Sequence, residues 1–445
     1  MGSEMCIRDR YYLGVGAWSD AGTGSYLVSA SESEVYPPGY SPENGYGLIN
    51  VQRAFEQHLG ITLDSVADLG GNLWSLDNIN APEVWTPSGD FSGATGNGTV
   101  VAVVDTGVDL DHREFSGRIV QGYDFVSNDS IADDGNGHGT HVAGTIAGAN
   151  DGFGVTGVAY DALIMPIRVL DNNGSGYTSD VIDGILYATN NGADVINLSL
   201  GGGGYSQAMA DAIAYATSLG SVVVMAAGNS GGSSPDYPAA HAVDYGIAVG
   251  AVDQNGDMAS FSNLAGETEL DYVTAPGVNI YSSTPGNNYD SYNGTSMATP
   301  HVAGAAALLM GHDPNLSAET IEDLLTGTAS NNYTSTSSTS QDSLASSNYD
   351  ALTNYSGYVT SDTIGSFSCD DLTGTWIGRL SSDSALSRSW EDYPINSYSI
   401  GWEQLTNNLF SFELNSATGS HSLISELLNS NQFDYFEADQ VWSIA

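Results

Sequence analysis

The sequence predicts an α/β fold in which a parallel sheet carries helices on both faces. Short, fully apolar runs bounded by Gly or Asp follow one another from about Val100, namely VVAVV, LIMPIRVL, DVINLSL, SVVVMAAG and GIAVGAV. Helical stretches such as VIDGILYATNN and QAMADAIAYATSLG lie between several of them. Strands that are apolar throughout are typical of parallel sheets, because helices cover both faces of such a sheet.

Composition excludes several classes of partner. The chain has 445 residues and is 41% hydrophobic, which is enough for a large core. Its net charge is −45, with only 8 basic residues, so it should repel nucleic acid and anionic lipid surfaces. No run of about 18 apolar residues occurs, so we expect no membrane span. We expect a monomer with no nucleic-acid partner.

Segments of different composition flank the strand–helix region. Residues 1–10 (MGSEMCIRDR) match nothing downstream, and we expect them to be non-native, so that no signal peptide is visible. Residues 11–36 hold two alternating runs around a Gly-rich turn, which predicts a fragment of a β-rich accessory domain. Residues 328–365 are rich in Ser, Thr and Asn and indicate a linker. Residues 366–445 alternate aromatic and polar residues and predict a small β-rich module of unknown role.

Three motifs bring an acid, an imidazole and a hydroxyl to one edge of the predicted sheet. Asp105 ends the apolar run VVAVVD, whereas His138 (GNGHGTHVAG) and Ser296 (GTSMATPHVAG) stand at the mouths of two helices. In open α/β sheets, the carboxyl ends of strands and the amino ends of helices line the ligand crevice. These three side chains are the parts of a nucleophilic triad.

The residues around Ser296 suit a nucleophile. A helix amino end supplies a positive potential, which favours the oxyanion that develops on attack. Gly294 and Ala298 are small, so a substrate backbone can approach. Pro300 is tolerated early in a helix, where backbone N–H groups lack partners.

Each of these residues taken alone has a simpler interpretation. Asp105 alone is an ordinary turn residue, and its DTG string as an aspartic-protease signature needs a second carboxylate, for which the sequence has no second motif. His138 alone is most often structural, or a metal ligand together with His141. Ser296 alone is most often a helix cap. The conjunction of all three favours the triad, and the remaining alternative is an inactive relative that only binds proteins.

The order Asp, His, Ser and the flanking residues resemble the subtilisin-like serine proteases. The motifs DTGVD, HGTHVAG, AAGN and GTSMATP occur in the family's order, and the resemblance predicts a catalytic domain over 69–327. It implies that Ser296 attacks the peptide carbonyl, that His138 takes and returns the proton, and that Asp105 orients the imidazole. It also implies an oxyanion hole formed by the Asn229 side chain and the Ser296 backbone N–H.

The same resemblance implies where a substrate binds. Two edges clamp an extended peptide by backbone hydrogen bonds, and Tyr177 contacts a side chain farther along it. The residues of these edges are Gly174, Ser175, Gly176, Tyr177, Ser199, Leu200 and Gly201. The pocket for the residue before the cleaved bond is lined by the second edge and by Ala226, Ala227 and Gly228. Asp236, just before a Tyr-Pro step, would favour basic residues in that pocket.

A structural calcium site is a further implication of the resemblance. The family uses an acidic or amide residue after the Asp motif together with a loop that interrupts the His helix, here GANDGFGVTG. Asp and carbonyl oxygens suit a hard cation. The candidate ligands are the side chains of Glu114 and Asp151 and the carbonyls of Ala149, Phe153 and Val155. The chemistry itself requires no cofactor.

One segment stands in an unexpected place in the chain. NGYGLINVQRAFEQHLG, within 44–68, resembles the strand and helix that close such a domain at its carboxyl end, yet here it precedes the catalytic motifs. It is either a remnant of an upstream module or part of a permuted domain. The second explanation predicts that four of its side chains contact the core: Leu48, Ile49, Val51 and Phe55.

These observations together predict a secreted serine endopeptidase that acts on proteins or peptides. The alternative is an extracellular binding protein built on an inactive protease scaffold. Retention of all three triad residues and of Asn229 argues against that alternative.

Overall fold

The computed structural model describes residues 36–332, 374–380, 399–404, 409–414, 433–438 and 440–445. The predicted segment 1–10, all but the last residue of 11–36 and most of 328–365 lie outside the described residues. The helices are α1 (Val51–Leu59), α2 (Trp74–Asn78), α3 (Pro82–Trp85), α4 (His138–Ala147), α5 (Thr178–Asn190), α6 (Gln207–Ser218), α7 (Thr295–His312) and α8 (Ala318–Gly327).

The strands fall into a large central sheet and smaller sheets. They are β1 (Val100–Asp105), β2 (Tyr123–Asp124), β3 (Leu163–Arg168), β4 (Ser175–Tyr177), β5 (Val195–Leu198), β6 (Leu200–Gly201), β7 (Val222–Ala226), β8 (Ile247–Val252), β9 (Tyr272–Pro276), β10 (Ile280–Thr284), β11 (Asn288–Tyr292), β12 (Gly374–Leu380), β13 (Ser399–Gln404), β14 (Leu409–Leu414), β15 (Phe433–Ala438) and β16 (Val441–Ile444). Short 3₁₀ turns occur at Gly71–Leu73, Arg113–Phe115 and Ala239–Val243.

The central sheet has seven parallel strands in the order β2-β3-β1-β5-β7-β8-β9. Every residue of β5, β7 and β8 is buried, which explains why these strands read as unbroken apolar runs. The α/β class predicted from the sequence is therefore confirmed.

Helices cover the sheet on both faces. One apolar cluster joins the sheet to α4, α7, α8 and α1, and a second joins it to α5 and α6. Helix α7 is buried from Thr295 to Met310 and packs across β5, β7, β8 and β9, so it is apolar on all sides. Among the described residues, no helix has both the length and the apolar character that a bilayer crossing requires.

Pro300 shapes the start of α7. It lies inside the helix and has no N–H to bond the carbonyl of Ser296, four residues earlier. The Ser199 hydroxyl donates to that carbonyl instead, at 2.9 Å. The proline therefore leaves an acceptor that ties the helix carrying Ser296 to the end of β5.

The segment before the catalytic motifs packs on the same core. Leu48 bridges Thr274 of β9 in parallel, and the Ile49 N–H donates to the Thr274 carbonyl at 3.1 Å. Ile49, Val51 and Phe55 are buried in the cluster that contains α7, and Leu48 packs partly buried against it. Asn50 caps α1 by accepting from the Arg53 N–H at 2.8 Å, and Gly60 ends the helix with a φ of 65°.

Two smaller assemblies involve the later part of the chain. Strands β12 to β15 form an antiparallel sheet in the order β13-β14-β12-β15, within the range predicted to be β-rich. Strand β16 is not part of this sheet. It lies between β4 and β6 in a separate three-stranded sheet.

Candidate active site

The candidate site lies at the carboxyl edge of the central sheet. Asp105 is the last residue of β1, and Ser199 follows the last residue of the adjacent strand β5. Because the two strands are parallel, both residues lie at the same edge. Helices α4 and α7 bring His138 and Ser296 to this edge and pack against each other.

Asp105 and His138 form a buried pair. The Nδ1 atom of His138 lies 2.8 Å and 3.0 Å from the two carboxylate oxygens of Asp105. The Thr106 N–H also donates to Asp105 Oδ1, at 2.7 Å. Asp105 is fully buried and His138 is 6% exposed, so water competes little for these bonds. A carboxylate on Nδ1 fixes the tautomer that leaves Nε2 free to accept a proton.

Asp134 organises the amino end of the helix that carries His138. Its Oδ1 accepts from the Gly137 N–H at 2.8 Å and from the Thr106 hydroxyl at 2.9 Å. Its Oδ2 accepts from the Thr140 N–H at 3.0 Å and from the Thr140 hydroxyl at 2.6 Å. A carboxylate at this position satisfies unpaired helix N–H groups and favours the positive end of the dipole. The sequence analysis did not identify Asp134, because it precedes the N-cap position, which Gly137 occupies, by three residues.

Ser296 lies near the amino end of α7 and is fully buried. Its hydroxyl donates to the Ser199 carbonyl at 3.0 Å and also makes a short contact with the Ala445 carbonyl oxygen. The backbone N–H of Ser296 donates to the same Ala445 oxygen at 3.3 Å. The main-chain oxygen of Ala445, the last residue of the sequence, thus lies in front of the Ser296 hydroxyl.

Strand β16 fills the groove between the two predicted substrate edges. It pairs antiparallel with β4, with Trp442 opposite Gly176 and Ser443 opposite Ser175. On its other side, Ser443 lies opposite Gly201 and Ile444 opposite Leu200.

Further backbone bonds extend this clamp toward Ser296. The Ile444 N–H donates to the Gly174 carbonyl at 3.1 Å, and the Ala445 N–H donates to the Ser199 carbonyl at 3.4 Å. Tyr177 lies opposite Val441, and both side chains are more than half exposed. The structure therefore brings the two predicted edges together around one extended peptide.

Asn229 lies near the same Ala445 oxygen, beside Gly294. Its Oδ1 accepts from the Thr295 N–H at 2.9 Å and from the Thr295 hydroxyl at 3.1 Å, which turns the amide nitrogen away from Thr295. A Cβ atom placed on Gly294 would lie 3.2 Å from Asn229 Nδ2 and 3.1 Å from the Ala445 oxygen. Asn229 Nδ2 and the Ala445 oxygen thus both border the space next to the Gly294 Cα. Thr295, which orients the amide, is a second residue that the sequence analysis missed.

The Ala445 side chain lies next to Gly201, one of the residues predicted to line the pocket for the residue before the cleaved bond. A Cβ on Gly201 would lie 3.8 Å from the Ala445 Cβ. Ala226 ends β7, and Ala227 and Gly228 are buried beside it.

Asp236 lies at the Gly228 side of this pocket. A Cβ on Gly228 would lie 2.4 Å from its carboxylate, and the Asp236 N–H donates to the Ala227 carbonyl at 2.9 Å. A preference for basic residues through Asp236 stays a prediction.

The predicted calcium loop is arranged around the Glu114 carboxylate. Glu114 is 1% exposed and accepts from the Ala149 N–H at 2.9 Å, the Val155 N–H at 3.5 Å and the Tyr289 hydroxyl. Asp151 pairs with Arg113 at 3.3 Å and accepts from the Phe153 N–H at 3.0 Å.

Hydrogen-bond donors rather than acceptors therefore face the carboxylate oxygens of Glu114 and Asp151, and Arg113 supplies a positive charge beside Asp151. As arranged, both predicted carboxylate ligands are already engaged by these donors. No cluster of three or more acidic, His or Cys side chains suited to a metal occurs within the described ranges.

Two other buried histidines near the site have structural contacts. His141 bonds the Ile280 carbonyl at 2.9 Å and stacks on Tyr292, and His301 bonds the Met297 carbonyl at 2.9 Å. Burial lowers the pKa of His141 to about 3 and that of His301 to about 4. Both rings are therefore neutral near pH 7.

Comparison with known proteins places this geometry in a family. Residues 96–358 match the subtilase family model. Over 243 residues the chain is 49% identical to subtilisin DY of Bacillus licheniformis, covering 54% of this chain and 86% of that protein. It is 45% identical over 258 residues to thermitase of Thermoactinomyces vulgaris, covering 57% and 88%. A crystal structure of a cold-adapted subtilisin-like serine proteinase matches with a TM-score of 0.51 and 40% identity, over 58% of this chain and 92% of that one.

Proposed function

Since this chain belongs to the subtilase family and is a serine endopeptidase, we propose that it cleaves peptide bonds through a triad of Asp105, His138 and Ser296. Ser296 Oγ attacks the carbonyl carbon while its proton moves to His138 Nε2. The carbonyl oxygen becomes negative and is held by the Ser296 N–H and by Asn229 Nδ2. His138 then gives its proton to the leaving amine, which leaves an acyl group on Ser296.

Water completes the cycle by the same route. It loses a proton to His138 as it attacks the acyl carbon, and the proton returns to Ser296 Oγ as the acid product departs. Asp105 keeps Nδ1 protonated throughout and stabilises the imidazolium. The buried Asp105–His138 contact supports this role.

The observation that carries the proposal is the position of the Ala445 carbonyl. Its oxygen accepts from the Ser296 N–H, and the strand that bears it is clamped on both sides by the predicted edges. A substrate bound in this way would present its cleaved bond immediately after the residue at the Ala445 position. The antiparallel clamp uses backbone atoms, so it suits many proteins and peptides as substrates.

The same observation favours a second property of the site. Segment Gln440–Ala445 occupies the positions that a substrate needs, so it competes with substrates. While the segment is bound, the Ser296 hydroxyl is engaged by the Ser199 and Ala445 carbonyls. Release of the segment frees that hydroxyl to turn toward His138.

The location of the enzyme, its oligomeric state and its calcium content are further parts of the proposal. Secretion stays a prediction, and the net charge of −45 favours a monomeric enzyme because like-charged copies repel one another. Calcium at the Glu114 loop stays a prediction, and the Glu114 contacts favour a loop that holds together without it.

A fluorophosphonate probe tests the triad against the inactive-scaffold alternative. We expect a covalent adduct on Ser296, located by peptide mapping, in the full chain and more rapidly in Trp442→Ala, which weakens the competing segment. Ser296→Ala is the control and should carry no adduct. A folded Trp442→Ala protein that neither labels nor hydrolyses peptides would refute the proposal.

A further inference from the structure

The carbonyl of Ser296 lacks the donor that an α-helix ordinarily supplies. In α7 that donor would be the backbone N–H four residues later, and Pro300 has none. Ser296 is fully buried, so water has little access to the carbonyl. An unpaired buried carbonyl is costly, and the missing bond is one that would hold the first turn of the helix. The helix alone therefore does not fix the backbone of Ser296.

The hydroxyl of Ser199 takes the place of the missing N–H. It donates to the Ser296 carbonyl at 2.9 Å and accepts from the side-chain amide of Asn197 at 2.9 Å. Ser199 and Asn197 are both fully buried. Because Asn197 Nδ2 donates to Ser199 Oγ, the hydroxyl proton is left to point at Ser296. These groups form one chain of hydrogen bonds from the central sheet to the start of α7.

This chain of hydrogen bonds begins in a tightly packed part of the molecule. Asn197 lies in β5, opposite Val103 of β1 on one side and Val224 of β7 on the other. Every residue of β5 is buried. Side chains in such a packed interior interdigitate and keep fixed rotamers. The Ser199 hydroxyl therefore presents a donor of fixed position to the Ser296 carbonyl.

Ser296 needs this support because its other polar groups take part in the proposed reaction. Its hydroxyl attacks the substrate and its N–H binds the oxyanion, so neither group is available to hold the residue in place. The carbonyl is its one remaining polar group. Holding the carbonyl restrains the backbone torsions that aim the hydroxyl and the N–H. A misplacement of about 1 Å can cost roughly 10²-fold in rate.

We propose that Ser199 is a positioning residue for Ser296, acting through its hydroxyl on the Ser296 carbonyl, and that Asn197 orients that hydroxyl. The effect on the reaction rests on the proposed function. The role belongs to the Ser199 side chain, whereas the family resemblance implies only that the backbone of this residue borders the substrate. A substitution of the side chain therefore tests the new role and leaves the backbone contact in place.

A double-mutant cycle between Ser199 and Pro300 tests the proposal. All four chains carry Trp442→Ala, which removes the fully buried anchor of the competing segment. We expect Ser199→Ala to lower kcat roughly tenfold, the worth of about one buried hydrogen bond, and to leave KM within about twofold. Pro300→Ala supplies an N–H for the Ser296 carbonyl. In that background Ser199→Ala should therefore lower kcat by less than about twofold.

Labelling with a fluorophosphonate should follow the same pattern, because it reports attack by the Ser296 hydroxyl without the later steps. Ser282→Ala is the matched control. Ser282 is also fully buried and donates to a helix carbonyl, that of His141, at 2.7 Å. That carbonyl also accepts from the Thr145 hydroxyl at 3.2 Å, so its loss of one donor is compensated. The control should label at the rate of the Trp442→Ala parent.

Two further measurements separate positioning from plain stabilisation. The midpoint of the pH profile of kcat should not move in Ser199→Ala, because the buried acid–imidazole pair is unchanged. Urea unfolding of the four chains measures stability independently. If Ser199→Ala lowers stability yet labels at the parent's rate, the hydroxyl is only structural and the inference is overturned, whereas the proposed function stands.

The cycle gives a second way to overturn the inference. Equal losses of kcat from Ser199→Ala with proline and with alanine at position 300 would show that the hydroxyl does not replace the missing N–H. A parent chain that is folded and does not label refutes the proposed function and the positioning role together.

Discussion

The two edges of the central sheet differ in the hydrogen-bond donors that surround their buried carboxylates. At the carboxyl edge, Asp105 accepts from His138 and from the Thr106 N–H, and Asp134 accepts from backbone and hydroxyl donors around the start of α4. Each buried charge at this edge meets hydrogen-bond donors. These contacts hold the groups that would carry out the reaction.

At the amino edge, acidic side chains lie close to one another, and repulsion and burial outweigh the few donors they meet. Asp271 immediately precedes β9, and Glu322 of α8 reaches Gly246 before β8. Burial and the nearby Asp271 and Asp323 raise the pKa of Glu322 to about 7, and its Oε1 has no hydrogen-bond partner among the described residues. Burial also raises the pKa of Asp271 to about 6. Burial of an acid therefore does not by itself indicate a site, because the donors around it decide whether the charge is used.

The largest effect is expected from Asp105→Asn. The amide keeps the shape but removes the charge and reverses one hydrogen bond, which favours the wrong imidazole tautomer. We expect kcat/KM to fall about 10⁴-fold, measured with a chromogenic peptide. The folded state is checked by circular dichroism, and a folded variant with undiminished activity would contradict the role of the buried pair.

A smaller effect is expected at the groove itself. Trp442→Ala removes the buried anchor of the competing segment, and truncation of a buried tryptophan costs about 3–5 kcal/mol. We expect fluorophosphonate labelling of Ser296 to be at least roughly tenfold faster, because even part of that loss opens the groove. Val441→Ala, on the exposed side of the same strand, is the matched control and should label at the original rate. Equal rates for both variants would mean that the segment does not compete.

The buried carboxylate of Glu114, which also meets hydrogen-bond donors, should affect the stability of the fold. Glu114→Gln should lower the free energy of unfolding by about 1–3 kcal/mol, because the new amide places an N–H against a backbone N–H. Asp151→Asn, which loses only the exposed pair with Arg113, should cost less than about 1 kcal/mol. A chelator should leave the melting temperature of the unaltered chain unchanged. A fall on chelation would instead indicate a bound cation.

The effect expected from Glu322→Gln on the free energy of unfolding depends on pH. A raised carboxyl pKa means that the folded state holds its proton more tightly than the unfolded state. Its contribution to stability is therefore complete below the ordinary value of 4.5 and is lost as the pH rises through about 7.

Urea unfolding at pH 5 and pH 8 tests this sign. The unaltered chain should lose more stability between these pH values than the variant does, by on the order of 2 kcal/mol, since one pKa unit is worth about 1.4 kcal/mol. Glu319→Gln on the exposed face of α8 changes the net charge equally and should leave the pH dependence in place. A variant with the unaltered pH profile would show that Glu322 is not the titrating group.

Local patterns were sufficient to predict much of the fold and the candidate chemistry. The apolar runs became β5, β7 and β8 because a strand buried on both faces has no polar position. Asp105 ends a strand and His138 begins a helix. Strand carboxyl ends and helix amino ends meet at one edge of a parallel sheet, so the topology brings these two residues together. The contacts of Ile49, Val51 and Phe55 with the core followed from a strand–helix motif recognised despite its place in the chain.

Other features were beyond a reading of the sequence because they join distant residues. Trp442 and Thr178 are 264 positions apart, and nothing in VWSIA marks it as the occupant of a groove. Asp134 and Thr295 are residue types common in turns, and only their partners reveal what they position. The predicted calcium site stays a prediction, and its sequence pattern does not indicate that the N–H groups of Ala149 and Val155 donate to the Glu114 carboxylate.

The most direct test of the account is where the enzyme cuts. The peptide Asp-Gln-Val-Trp-Ser-Ile-Ala-Ser-Gly-Gly, incubated with the Trp442→Ala chain and analysed by mass spectrometry, should be cleaved at one bond, immediately after its alanine. The product should disappear with Ser296→Ala. Cleavage at another bond, or equal cleavage by the Ser296→Ala chain, would contradict the assignment of the Ala445 carbonyl to the position of attack.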